Sequence, residues 1–447
     1  MGRSIQIMVK YLLLFFCIPI LYFCPVLYPP IASFTSIFFM SGKELDCIAL
    51  LLLFSAAAMT SFIAATIIPV SDTINYINSF QSIQLFDLSE LSLSNDGIEP
   101  FYKLYEYGLS LFIGDNPNLF LLASGLITNG IITIAILRIC DRLDQLKLVG
   151  IIFAVYYTLV APLLGAPLFL LRSNLSLSIL LLAISFYKQV PFLFYLLGLV
   201  SLFLHYSSLL IFGILILLNY LSYLDKNPTI LTNIWFFSFL RRSGRNISLI
   251  ILLIGFTLST LSPSLVISSL QSSLVSFGEG DNAAAGKAKS FLDVGDEKFV
   301  DFQNPVFLIQ VMITLLCFLK LREDSLLAPD AYQKDFCKRI TFLESLRVIA
   351  RILLIIIVFT APLNVLPYRT GFFNFLYFPL WLVNIPFMSL TSVRNLSKYL
   401  IPFAFIAVLT YTFYWIPKRE GGEYFIVVLE GKPLTYTLPQ VIEKFSN

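Results

Sequence analysis

The chain has 447 residues, of which 58% are hydrophobic and only 13% charged, with a mean hydropathy of +0.85. A water-soluble protein of this size needs far more charge to coat its surface, so that class is excluded. The net charge of +3 makes no case for nucleic acid.

Apolar residues run in stretches of about 18–25, the length that crosses a hydrocarbon core of about 30 Å. Lipid leaves no partner for bare backbone, so such runs are helices or barrel strands. Their continuity favours helices, because the alternating pattern of a membrane barrel is absent. The expectation is an all-α polytopic integral membrane protein of about 12 transmembrane helices, range about 10–14. In chain order the spans are 11–33, 46–69, 117–139, 148–168, 171–187, 190–204, 206–223, 247–268, 304–320, 346–366, 371–389 and 396–415. The first is read as a single uncleaved span, since no small-residue cleavage site follows it. One membrane domain, 1–415, then carries a polar tail, 416–447. There the pattern around Glu423–Leu429 and Leu434–Thr437 reads as a small β-hairpin. The six cysteines form no CxxC pair and read as small buried residues.

Short loops set the orientation through Lys and Arg. The segments 138–148, 224–246, 320–347 and 390–398 are basic and fall on one side, which is therefore cytoplasmic. The loops 70–116 and 269–303 fall on the other side. The first holds Asp72, Asp87, Glu90, Asp96, Glu99, Glu106 and Asp115 against Lys103 alone. Its stretch Glu99–Tyr107 mixes aromatic and charged residues after a Glu-Pro start, as an interfacial helix does. A single first span leaves both termini outside and puts Arg3 and Lys10 on the disfavoured side.

Motifs of soluble enzymes are missing, including phosphate loops, HExxH and GxSxG. Polar residues at span ends are costly in a bilayer and become the candidates. Asp72, Tyr76 and Phe80 lie four apart, on one face if helical. They suit the mouth of an outer, sugar-binding cavity, or equally a helix cap with interfacial anchors. Arg172 and Arg369 sit at outer ends, where the positive-inside bias does not explain them. A guanidinium there fits an oxyanion such as pyrophosphate, or snorkels to headgroups. His205, the single histidine, can move a proton near neutral pH, or hold structure through hydrogen bonds. Glu99 is a further carboxylate, with helix-dipole compensation as its alternative. No metal-ligand cluster is visible, and no cofactor is implied.

The order of these elements resembles the EpsG-like family of polysaccharide polymerases, of the Wzy type. The matching elements are Asp72-x-x-x-Tyr76-x-x-x-Phe80, Glu99-Pro100-Phe101, Arg172 before an apolar helix, His205-Tyr206-Ser207-Ser208 and Arg369 before an aromatic helix. They cover roughly residues 45–390. The sequence departs in having Ile67-Ile68-Pro69-Val70-Ser71 where relatives often carry Arg and Gly, and Ser173 where Gln is frequent. The resemblance implies a membrane glycosyltransferase of the bacterial cytoplasmic membrane. It would polymerise undecaprenyl-pyrophosphate-linked repeats of O-antigen, capsule or exopolysaccharide at the outer leaflet. Arg172 and Arg369 would bind pyrophosphate, and Tyr76 and Tyr102 would line the glycan path. His205, Asp72 or Glu99 would take the acceptor's proton. A flippase and a chain-length regulator would be its pathway partners. The competing readings are a lipid-linked glycan flippase, which needs charges near the midplane, and a glycosyltransferase or ligase that acts once.

Overall fold

A computed structural model describes residues 2–40, 46–66, 72–83, 100–160, 171–205, 208–224, 246, 248–257, 305–321, 330–360, 377–415 and 436–446. All the named elements among them are helical; the single β-bridge joins Leu321 and Met388. The chain packs as two units, 1–212 with 396–447, and 213–395.

The first unit begins with α1 (Gly2–Phe23) and α2 (Tyr28–Ser36), then α3 (Cys47–Ala65), α4 (Asp72–Ser82) and α5 (Pro100–Ile113). It continues with α6 (Pro117–Arg142), α7 (Lys147–Val155), α8 (Leu171–Phe186) and α9 (Pro191–Leu204). Local sequence sets the helix starts. Asp46 caps α3 by accepting from the Ile48 N–H at 3.0 Å, and Asn116 caps α6 by accepting from the Leu119 N–H at 3.0 Å. Pro117 and Pro191 open α6 and α9, where a missing N–H costs nothing. Gly114, with φ of 67°, closes α5 in the left-handed conformation that glycine tolerates.

Small polar residues bring the long helices together, as expected where lipid supplies no hydrophobic drive. Gly125 of α6 lies against Ser61 of α3, and the Asn129 amide donates to the Ser61 hydroxyl at 2.9 Å. Ser176 of α8 and Ser201 of α9 donate to each other's backbone carbonyls at 2.8 and 2.7 Å. At the far end, Arg138 donates to the Ser185 hydroxyl at 3.3 Å and covers the Phe186 ring at 4.0 Å. The outward face of α9 carries Phe192, Tyr195, Leu196, Leu199 and Phe203, all exposed. A continuous apolar stripe of this kind suits contact with lipid.

Among the described residues two helices, Cys47–Ala65 and Pro117–Arg142, are long and apolar enough to cross a bilayer. Ten shorter apolar stretches accompany them. Most fall inside the expected spans, but three expectations change. The span 11–33 is broken at Cys24 into two helices. Cys17 meets Thr35 at 3.5 Å and Lys10 lies 5.5 Å from the Phe39 ring, so α1 and α2 are antiparallel. The last turn of α2 abuts Gly150, near the start of α7. The start of α1 therefore lies at the basic-turn end of the unit. The break follows from Pro25, which cannot continue the hydrogen-bond ladder of α1.

The second change concerns the second unit. Its helix Asp330–Thr360 starts well before the expected span 346–366, so much of the basic segment 320–347 is helical. Arg347 and Arg351 are buried there; both pair with Glu344, and Arg347 also donates to the Leu319 carbonyl. Third, the tail contains an amphipathic helix, Leu438–Ser446, that the sequence reading omits. The expected hairpin around 423–437 lies almost entirely outside the described residues.

Candidate functional site

α3, α6, α8 and α9 bring their ends together with α4 and α5 at one end of the first unit. A shared cluster there contains Ala64, Ala65, Tyr76, Phe80, Tyr102, Phe120, Leu121, Leu171, Leu175 and Leu204. It is the end opposite the basic turn that links α6 to α7. Tyr76 and Phe80 occupy the buried face of α4, with Phe80 stacked on Phe120 at 4.2 Å. The four-residue spacing of Tyr76 and Phe80 thus becomes one packed face, as its periodicity predicts.

Arg172 stands in the first turn of α8 and remains partly exposed. A cation at a helix N-terminus opposes the helix dipole. Two aromatic faces offset that cost: the guanidinium lies 5.3 Å from the Tyr76 ring and 5.7 Å from the Tyr102 ring. The two rings are 5.9 Å apart and edge to face.

Beneath this cage lies Glu106, fully buried on α5. Its Oε2 accepts from the Ser79 hydroxyl at 2.8 Å. Its Oε1 and the Tyr102 hydroxyl find no hydrogen-bond partner among the described residues. Burial pushes the Glu106 carboxyl up to about 7. The Ser79 hydrogen bond opposes that rise, with smaller help from the adjacent Tyr102 and from the positive charges of Arg172 and Lys103. Burial, then the Glu106 charge, raises the Tyr102 phenol well above its ordinary value.

His205 ends α9 and is buried. Its N–H donates to the Ser201 carbonyl at 3.0 Å, and its carbonyl accepts from the Ser208 hydroxyl at 3.1 Å. The Ser176–Ser201 clamp lies one turn from Arg172 along α8 and one turn from His205 along α9. Arg172 and His205 therefore share an end of the antiparallel pair. Asp72 opens α4, but its side chain lies outside the described residues, as do Glu99 and Arg369 altogether. Among the described residues no three His, Cys, Asp or Glu side chains group as metal ligands would.

Glu106 is the residue that sequence reasoning passed over, counting it only as one of the acids of the loop 70–116. A signal was present. Tyr102, Glu106 and Ser110 repeat at four-residue spacing and are buried, while Phe101, Leu104, Leu111 and Phe112 on the same helix are exposed. An acid on the inner face of a helix that leaves Phe101, Leu104, Leu111 and Phe112 exposed departs from ordinary amphipathicity.

The fold and this site define a helical membrane protein with a caged guanidinium above a buried acid at one end. The EpsG family model matches residues 49–419, and the chain belongs to that family. It is thereby a membrane protein of polysaccharide biosynthesis, in a family associated with glycosyltransferase-type polymerase activity. No curated protein and no solved structure matches the chain.

Proposed function

We propose that this protein polymerises oligosaccharide repeats carried on a polyprenyl pyrophosphate, undecaprenyl pyrophosphate in bacteria, at the outer leaflet of the cytoplasmic membrane. The observation that carries the reading is the Arg172 guanidinium set against the rings of both Tyr76 and Tyr102 at the end opposite the basic turn. With Arg138, Arg142 and Lys147 facing the cytoplasm, the cage faces outward. That is where a repeat already moved across the membrane is presented. The twelve-span arrangement, with acidic loops outside and basic loops inside, belongs to the same reading.

Arg172 binds the pyrophosphate and stabilises charge on it as it leaves, a role the family pattern suggests for Arg369 as well. Tyr76 and Tyr102 offer aromatic faces to the glycan beside it. Donor chain and acceptor repeat meet there, and the chain passes from its lipid pyrophosphate to the acceptor's hydroxyl. His205 shares this end of the bundle, and Asp72 and Glu99 are the carboxylates that the family pattern adds. A flippase supplying the repeats and a regulator of chain length are the expected partners.

The test is the size distribution of surface glycan in a deletion strain. Polymerase action predicts a ladder that collapses to a single repeat, with that repeat still reaching the surface. Loss of every exposed repeat would instead mark a flippase, and an unchanged ladder would end the proposal.

A further inference from the structure

Resting on that reading, we infer that Glu106 is the proton acceptor for the attacking sugar hydroxyl. Buried polar atoms are nearly always paired, and leaving one bare costs stability. Among the described residues, Glu106 uses Oε2 on Ser79 and Oε1 has no hydrogen-bond partner, while the Tyr102 hydroxyl, close enough to favour the ionised Glu106, completes no well-formed hydrogen bond either. Together they present one carboxylate acceptor and one phenol that both donates and accepts. A sugar hydroxyl needs that complement, one partner to receive its hydrogen and one to bind its oxygen. Arg172, whose guanidinium lies beside the Tyr102 ring, is partly exposed, and the donor's pyrophosphate would sit there.

The step balances without a co-reactant. The acceptor O–H bond breaks and its proton passes to Glu106 Oε1. The oxygen's electron pair forms the new bond to the donor's anomeric carbon. The bond from that carbon to the phosphate oxygen breaks, and its electrons leave on the lipid pyrophosphate beside Arg172.

The groups around the carboxylate decide its titration. From α4 come Tyr76 and the Ser79 hydroxyl; from α8 comes Arg172. α5 itself supplies Tyr102, Lys103 and Tyr105. α6 contributes Ser124, which accepts from the Tyr105 hydroxyl at 2.8 Å, and α9 ends at His205. Burial outweighs the cations, so the carboxyl titrates near 7, where a base both ionises and accepts usefully.

The experiment compares the intact membrane protein with Glu106→Gln, Ser79→Ala and His205→Asn, using a purified lipid-linked repeat as substrate. Glu106→Gln, present at normal level, should lower polymerisation by about 10²–10⁴-fold, the usual loss of a general base. Wild-type rate should rise with pH through a limb near 7. Ser79→Ala, which removes a hydrogen bond to the ionised form, should move that limb upward; a merely structural Glu106 would leave it in place. His205→Asn should retain the limb. Full activity in Glu106→Gln, or a limb abolished by His205→Asn and unmoved by Ser79→Ala, would overturn the assignment. If the deletion strain makes a normal ladder, the polymerase reading itself fails. If the deletion collapses the ladder and Glu106→Gln restores it, only the role of Glu106 fails.

Discussion

Glu106→Gln should make the protein more stable at high pH than the wild type, and the gain should vanish in acid. The folded chain holds the Glu106 proton up to about 7, against an ordinary value of 4.5. Between those values the unfolded chain has released a proton that the folded chain keeps. Rising pH therefore favours unfolding across that window, and the cost is constant above it. The shift, about 7 minus 4.5, is about 2.5 units, or about 3 kcal/mol at about 1.36 kcal/mol per unit. That is a large share of the roughly 5–15 kcal/mol by which proteins are usually stable. Glutamine keeps an oxygen for the Ser79 hydroxyl and carries no charge to desolvate. Thermal melting of both proteins in detergent, at pH 4.5 and pH 8.5, isolates the term, because every other titrating group is common to the pair. The melting-temperature difference should grow in favour of Glu106→Gln on going to pH 8.5. A difference independent of pH would refute the picture of a carboxylate ionised against its burial.

Arg172→Lys keeps the charge but loses the planar fork set beside the Tyr76 and Tyr102 rings. It should reduce polymerisation at least about tenfold, and equal rates would show that a point charge suffices. Gly150→Ala places a methyl group 2.6 Å from the Ser36 hydroxyl oxygen and 2.9 Å from the Ser33 carbonyl oxygen. Separating α2 from α7 should cost about 1–3 kcal/mol, visible as a lower melting temperature. The antiparallel α1 and α2 place the start of α1 beside the basic turn. A cysteine at Met8 in a cysteine-free background should then be labelled from the same side as one at Asp144, and labelling from opposite sides would restore the single-span reading.

Long features with one physical cause were legible in the sequence. Apolar run length located α3, α6, α8 and α9 to within a few residues, because lipid leaves the backbone no other solution. The face shared by Tyr76 and Phe80 was legible as well, since a helical period needs no tertiary knowledge. Arg172 stood out because a cation at an outer span end has no topological excuse. What brings it to Tyr102 was not legible, since the two lie 70 positions apart and meet only through the packing of α4, α5, α8 and α9. The break at Cys24 was masked by apolar residues on both sides, which a span requires and a helical hairpin also tolerates. Glu106 was hidden for a different reason. An acid in an acidic loop reads as solvated, and only the exposure of Phe101, Leu104 and Phe112 reveals that this helix turns its charge inward.

The placement of Glu106 beside Arg172 has a consequence for the order of events. The Arg172 guanidinium acts on the Glu106 carboxyl through space and favours its ionised form. Burial keeps much of the Glu106 population protonated at neutral pH, which weakens its pull on the guanidinium. Once the pyrophosphate arrives, its negative charge offsets the guanidinium, which in the empty site favours the ionised acid. The proton affinity of Glu106 then rises as the donor is bound, making it a stronger base when a base is needed. The limb in kcat/KM reports the empty enzyme and the limb in kcat the loaded one. The kcat limb should therefore lie at higher pH than the kcat/KM limb. Arg172→Lys, with its weaker grip on the donor, should narrow the gap. Coincident limbs in the wild type would show that the two groups act independently.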